Sequence, residues 1–236
     1  MNRCASLVCE SLCWSDMDGM ELPGFRKLRF DLRPSDLSAS SLWLMQTADP
    51  VPADMWNDVH SGAVKVFSAP DKFLSNRIKT RIISNYWPAK FNATFLDPKC
   101  GSHTAKEIRR EPRAAHYAVL LDFLKNEWNS SDYRWLIYWS LIGHAECSDC
   151  RLEGEDKGIP ITLRKTAAEW FSIIQREVLP LLDNNDLILI HPDHGSARRG
   201  MGGAPMQNGF MYCNKDAFSG VVTWADIRKA VSNCCS

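Results

Sequence analysis

The chain has 236 residues, of which 45% are hydrophobic and 24% charged, and its 28 basic side chains balance 28 acidic ones. This composition fits a globular protein with a sizeable core, and the zero net charge gives no overall electrostatic reason to bind nucleic acid or a membrane. No run approaches the roughly 20 apolar residues of a membrane-spanning helix. The N-terminus lacks the apolar stretch of a secretory signal, so we expect a soluble cytoplasmic protein.

The N-terminal part of the sequence has the least regular pattern. Residues 1–60 hold short apolar runs between clusters of Pro, Ser and Asp, which predicts an irregular segment. An α/β domain is then expected over residues 61–236, with one continuous domain as the alternative. The run AVKVF (63–67) predicts a strand. Apolar residues at helical spacing predict a helix over 71–87, ended by Pro88.

After residue 90, strand and helix patterns alternate. Short β-branched or apolar runs predict strands, and longer amphipathic stretches predict helices. The predicted order is strand 91–96, helix 104–127, strand 133–142, helix 161–182, strand 186–190, strand 209–213 and helix 223–234. Thr223 and Asp226 resemble a capping box at the start of the last helix. This alternation predicts an α/β fold, a mostly parallel sheet with helices on both faces.

Metal-capable side chains follow three of the predicted strands. Ligands of open α/β sheets bind outside the carboxyl ends of the strands, so parallel strands would bring these side chains to one edge. The three clusters are Asp97, Cys100 and His103; His144, Cys147 and Cys150; and His191, Asp193 and His194. The sequence therefore predicts a metal or catalytic site at this edge.

One candidate ligand set contains three of the nine cysteines. Cys100 and His103 form one pair with a two-residue spacer, and Cys147 and Cys150 form another. Two such pairs suit a tetrahedral structural zinc site. An odd number of cysteines also argues against a fully paired disulfide framework.

A second candidate set mixes imidazole and carboxylate ligands. His144, Asp193 and His194 suit a catalytic zinc or manganese ion that keeps an open coordination position. Arg198 and Arg199 follow shortly afterwards and are candidates for binding an anionic group. The two ligand sets are compatible with each other and could be neighbours.

The second half of the sequence resembles the alkaline phosphatase superfamily, which includes phosphopentomutases, cofactor-independent phosphoglycerate mutases, sulfatases and type I phosphodiesterases. Its members carry a strand ending in Gly-His, a long helix, and an apolar strand ending in Asp-His-Gly. WLIYWSLIGH, the helix 161–182 and DLILIHPDHG follow that order, and the resemblance covers residues 133–233. It implies that Asp193 and His194 bind one divalent metal ion, that His144 binds a neighbouring one, and that the substrate is a small phosphate or sulfate ester.

The sequence also departs from the pattern of this superfamily. Trp139 and Ser140 stand where an aspartate usually precedes the Gly-His pair, and no histidine follows His194. An N-terminal strand ending in a metal-binding aspartate, with a Ser or Thr nucleophile after it, is not evident. We therefore expect a divergent, metal-binding phosphoesterase or phosphotransferase-like protein, with both an active hydrolase and an inactive relative left open.

The alternative function is that of a zinc-stabilised, non-enzymatic binding or structural protein. The segment from Lys72 to Arg113 contains ten Lys or Arg residues against three Asp or Glu residues, with aromatic residues among them. Cations and aromatic rings together suit phosphate contact and base stacking, so nucleic acid or a protein partner is the expected ligand of this segment.

Overall fold

The computed structural model describes residues 2–9, 12–32, 38–56, 72–84, 115–140, 159–193 and 208–235. Its six strands are β1 (Cys4–Cys9), β2 (Arg26–Asp31), β3 (Thr80–Ser84), β4 (Trp135–Ser140), β5 (Leu187–His191) and β6 (Asn208–Cys213). They form one sheet in the order β2-β6-β5-β1-β4-β3. β3, β4, β1 and β5 are parallel, and β6 is antiparallel to both β5 and β2. The predicted α/β fold with a mostly parallel sheet is confirmed.

Helices cover both faces of the sheet. They are α1 (Ser38–Thr47), α2 (Ala115–Phe123), α3 (Ile159–Ile173) and α4 (Trp224–Cys235). Side chains of α1 and α4 belong to the core on one face, and those of α2 and α3 to the core on the other. The predicted helices at 161–182 and 223–234 are confirmed, as is the described part of the one at 104–127. No helix in these ranges is long and apolar enough to cross a membrane.

The three central strands are buried on both sides. Every residue of β1, β4 and β5 is buried. Successive residues alternate between the two cores, so that Trp135 and Trp139 contribute to the α1/α4 core and Tyr138 to the α2/α3 core. This double coverage explains why these strands are almost continuously apolar in sequence.

The prediction of an irregular N-terminal segment is wrong for its described residues. β1 is one of the two middle strands of the sheet, paired with β4 on one side and β5 on the other. Its polar residue Ser6 is buried, because its Oγ accepts a hydrogen bond of 3.0 Å from Nε1 of Trp135. The division into two domains remains a prediction, although β1, β2 and α1 share a sheet and cores with the rest of the chain.

The predicted helix at 71–87 is also wrong over its described residues, 72–84. A short 3-10 turn at Leu74–Asn76 leads into β3, which pairs in parallel with β4. Ile82 lies in the α1/α4 core, while Ile83 lies in the α2/α3 core. Adjacent residues of a strand point to opposite faces, so these two β-branched residues can each enter a different core. The pairing of β3 with β4 therefore outweighs the helical spacing of the apolar residues. The predicted strands at 63–67 and 91–96 lie outside the described residues.

Candidate functional site

The carboxyl ends of β1, β4 and β5 lie on one edge of the sheet, which we call the carboxyl edge. In the register of the sheet, Val8 pairs with His191 and Cys9 pairs with Ser140, so the three strands end at nearly the same level. β1 lies between β4 and β5. Two inter-strand spacings separate them, or about 10 Å. The carboxyl ends of β4 and β5 therefore lie at the same edge with one strand between them.

Asp193 lies at this edge, two residues after β5, and it is completely buried. Its main-chain carbonyl accepts a hydrogen bond of 2.7 Å from Oγ of Ser41. Ser41 belongs to the first half of α1, so this bond ties that helix to the end of β5. A buried carboxylate at the carboxyl end of a parallel strand is the one member of the predicted catalytic ligand set that the structure describes.

His191, the last residue of β5, is also completely buried. Its Nδ1 lies 2.8 Å from the carbonyl oxygen of Pro192, and since a carbonyl can only accept, Nδ1 carries the proton. The ring packs edge-on against Phe30 and Trp224, with centroid distances of 5.7 and 5.8 Å. Burial lowers the pKa of His191 to about 4, so the imidazole is neutral at neutral pH.

The second ring nitrogen of His191, Nε2, is available as an electron-pair donor. Nε2 is buried, and no hydrogen-bond partner for it is found in the described parts of the chain. One nitrogen donating to a backbone carbonyl while the other keeps a bare lone pair is the arrangement of a metal-binding imidazole. The chemistry of this edge thus fits a divalent cation, with a carboxylate and a neutral imidazole two residues apart.

The other predicted ligands lie outside the described residues. They are His144 and His194 of the catalytic set; Cys100, His103, Cys147 and Cys150 of the structural zinc set; and the anion-binding candidates Arg198 and Arg199. Within the ranges that the structure does describe, no three His, Cys, Asp or Glu side chains form a group that could hold a metal ion. Both ligand sets therefore remain predictions.

Helix α1 is a contributor to the edge that sequence reasoning missed. Its sequence SASSLWLMQT is buried throughout from Ser40 onward, so it shows no amphipathic period. The available signal was the serine-rich start, because serine favours the first positions of a helix. Ser38 is the first residue of α1 and precedes Ser41 by one helical turn.

Part of the predicted basic surface is engaged within the fold. Lys79 forms an ion pair with Asp132, and its Nζ lies 5.1 Å from the centre of the Tyr133 ring. The guanidinium of Arg81 lies 5.6 Å from the centres of both the Tyr133 and Phe123 rings. These cations stabilise the junction of β3 and β4, and nucleic-acid binding finds no support here.

No protein-family model matches the sequence. No curated protein matches it. Several solved structures match its fold over nearly the whole chain. The alkaline phosphatase from the Antarctic bacterium TAB5 has a TM-score of 0.57 and 10% sequence identity, covering 99% of this chain and 97% of that chain. A mutant of that enzyme, solved with Mg bound in its M3 site, has a TM-score of 0.58 at the same identity and coverage.

A third similar structure is the PH0037 protein from Pyrococcus horikoshii. Its TM-score is 0.55 at 10% identity, covering 99% of this chain and 96% of that chain. At such low identity these similarities establish the fold and leave the chemistry to the residues themselves. The chain shares the fold of these alkaline phosphatases, which confirms, at the level of the fold, the resemblance found in its sequence.

Proposed function

We propose that the carboxyl edge binds a divalent metal ion and acts on a small phosphate or sulfate ester, as a phosphoesterase or phosphotransferase. The observation that carries this proposal is the completely buried Asp193, held at the end of β5 by the bond from Ser41. This edge is where ligands of open α/β sheets bind, and a carboxylate is a ligand that suits a divalent cation. The shared fold with an alkaline phosphatase supports the same chemistry.

The metal ligands in this proposal are Asp193, His194 and His144, and zinc or manganese suits such a mixed donor set. When bound, the ion would polarise the ester and offset the negative charge that develops on its oxygens. His191, two residues before Asp193, supplies a neutral imidazole. Its proton stays on Nδ1, fixed by the carbonyl of Pro192.

The start of α1 is where we propose that the ester phosphorus or sulfur is attacked. The N-terminus of a helix favours negative charge, so an anionic ester gains from lying there. Ser38, by its position as the first residue of α1 and one turn before Ser41, is our candidate nucleophile. Arg198 and Arg199 would bind the remaining oxygens of the anion.

The decisive substitution is Asp193→Asn, which removes the charge and keeps the shape. We expect the bound metal, measured by mass spectrometry of the purified protein, to fall below one ion per chain. Hydrolysis of p-nitrophenyl phosphate or p-nitrophenyl sulfate should fall by about 100-fold or more. The matched control is Asp183→Asn, an exposed carboxylate in the turn before β5, which should change neither value.

A wild-type protein that holds no metal, and that stays inactive toward both esters with zinc, manganese or magnesium added, would rule this function out. Ser38→Ala tests the nucleophile separately. It should abolish hydrolysis while metal content stays at the wild-type level. Ser40→Ala, which removes another hydroxyl from the same turn of α1, is the neighbouring control and should keep the activity. Full activity in Ser38→Ala would show that attack uses another group.

A further inference from the structure

A second candidate site lies at the opposite edge of the sheet, independent of the proposed catalytic edge. A cavity of about 540 Å³ opens beside Leu187, the first residue of β5, and runs along α4. This volume lies within the roughly 300–1,000 Å³ typical of sites for small organic molecules. Cys234, near the end of α4, lines the cavity together with Lys215 and Lys229.

Cys234 differs from the cysteines around it. Its Sγ lies 3.3 Å from the carbonyl oxygen of Arg3, and it is only partly buried, whereas Cys4, Cys213 and Cys235 are buried. Burial raises the pKa of Cys4 and of Cys213, which keeps both as unreactive thiols at neutral pH. The accessible sulfur of this cluster is therefore that of Cys234.

Two features favour the thiolate form of Cys234. A hydrogen bond from the thiol of Cys235 lowers the pKa of Cys234 to about 7, with a further contribution from the backbone N–H of Leu187. Cys235 can donate its single proton either to this sulfur or to the carbonyl oxygen of Arg134, 3.2 Å away. The lowered pKa favours the thiolate, which is the nucleophilic form, over the thiol that donates to the Arg3 carbonyl.

The charges that line the cavity favour an anion. Lys215 and Lys229 provide two cations. The carboxylate of Asp226 also lines it, but its Oδ2 already accepts hydrogen bonds of 2.9 and 2.7 Å from N and Oγ1 of Thr223. A ligand with carboxylates can therefore pair with the lysines while its reactive atom lies near Cys234.

We propose that Cys234 is a modification site that undergoes thiol–disulfide exchange with a small, carboxylate-bearing disulfide of the glutathione class. The Cys234 thiolate attacks one sulfur of the disulfide and forms a new S–S bond to it. The original S–S bond breaks, and its other half leaves as a thiolate that takes up the proton Cys234 has lost. The small disulfide is the oxidant, and the product is a mixed disulfide inside the cavity.

The experiment compares two disulfides of opposite charge on the complete protein. At pH 7 and low salt, oxidised glutathione is anionic, whereas cystamine is cationic. Intact-mass spectrometry over time should show the glutathione adduct forming about tenfold faster than the cystamine adduct, because the lysines attract one reagent and repel the other. Raising the salt concentration should shrink that difference.

Variants locate the reaction and test the charge argument. Trypsin leaves Cys234 and Cys235 on one peptide after Lys229, so fragment ions must assign the adduct to Cys234. Cys234→Ser should remove it, and Lys215→Ala with Lys229→Ala should abolish the preference for the anionic reagent. Lys125→Ala, an exposed lysine after α2, should change nothing.

Two results would overturn the proposal. One is cystamine reacting as fast as oxidised glutathione with the wild-type protein. The other is the first adduct forming on a cysteine other than Cys234.

Discussion

Each edge of the sheet buries an aspartate, and the two aspartates have different surroundings. Asp186 directly precedes β5, at the edge where the parallel strands begin, which we call the amino edge. Its Oδ2 lies 3.3 Å from Nη2 of Arg3 and 3.4 Å from Nε1 of Trp128. Nη1 of Arg3 also donates a hydrogen bond of 2.8 Å to the carbonyl oxygen of Trp128. At the carboxyl edge, the bond that fixes Asp193 reaches its main chain from Ser41. The side chain of the first aspartate joins the start of β1 to the start of β5, whereas the main chain of the second is joined to α1 by Ser41.

Removing the charge of Asp186 should therefore give the largest loss of stability. Asp186→Asn leaves the nearly buried guanidinium of Arg3 without its counterion and should lower the free energy of unfolding by about 3 kcal/mol. Urea denaturation measures this. The control is Asp216→Asn, whose carboxylate pairs with Arg26 on the surface and is 87% exposed. An equal effect in both variants would show that the network at the amino edge is not structural.

The pH dependence of stability should reveal His191 at the carboxyl edge. The folded-state pKa of about 4 lies below the ordinary 6.5, so the unfolded chain binds a proton first as the pH falls. The stability is intact above pH 6.5, and about 3 kcal/mol is lost between pH 6.5 and pH 4. The measurement is urea denaturation across this range with a chelator present.

The matched variant for this titration is His191→Phe, which cannot bind a proton. Its stability should fall less steeply over the same pH range, because the contribution of His191 is then absent. Identical slopes for the variant and the wild type would mean that His191 is accessible to water and titrates normally.

A smaller effect is expected at the bond between α1 and β5. Ser41→Ala removes the donor to the buried carbonyl of Asp193 and should cost about 1–2 kcal/mol of stability. Ser75 is a useful comparison, since its buried Oγ has no hydrogen-bond partner within the described residues. Ser75→Ala should leave the urea midpoint almost unchanged or raise it. Equal losses would contradict a specific role for Ser41.

The smallest expected effect lies at the other end of α1. Ala48, directly after the helix, has a φ of 63°, a left-handed conformation that glycine adopts more easily. Ala48→Gly should raise the free energy of unfolding by up to about 1 kcal/mol, measured as an increase in Tm. The control is Ala53→Gly, in a short 3-10 turn, which should not stabilise the protein.

The elements that the sequence predicts correctly have strong local patterns. β4 and β5 are nearly unbroken apolar runs, and α3 has one apolar stripe that includes Ala167 and Trp170, both buried. α4 begins with the predicted capping box, in which N of Asp226 lies 3.3 Å from Oγ1 of Thr223. In each case the local sequence alone indicates the hydrophobic period of the element and the residue at which it begins or ends.

The elements that the sequence misses depend on distant partners. β1 contains Ser6, which is acceptable in the core only because Trp135 donates a hydrogen bond to it from 129 residues away. β3 has helical spacing and becomes a strand through pairing with β4. Neither partner can be identified from the local pattern.

The candidate site also contains residues that local sequence patterns can place and residues that they cannot. Asp193 could be placed at the carboxyl edge because it follows an apolar strand. The contribution of Ser41 could not be predicted, because its contact with Asp193 spans 152 residues of chain. The tautomer of His191 depends on the local backbone after β5, which the residue types do not specify.

The central position of β1 also governs the order in which this protein can be completed on the ribosome. β1 pairs with Leu187 and its successors, about 180 residues later in the chain. At the usual 5–20 residues per second, the first strand waits roughly 10–40 s for its second neighbour. Throughout that delay β1, a largely apolar strand, lacks at least one of its two neighbours, and a chaperone that shields nascent chains would act here first.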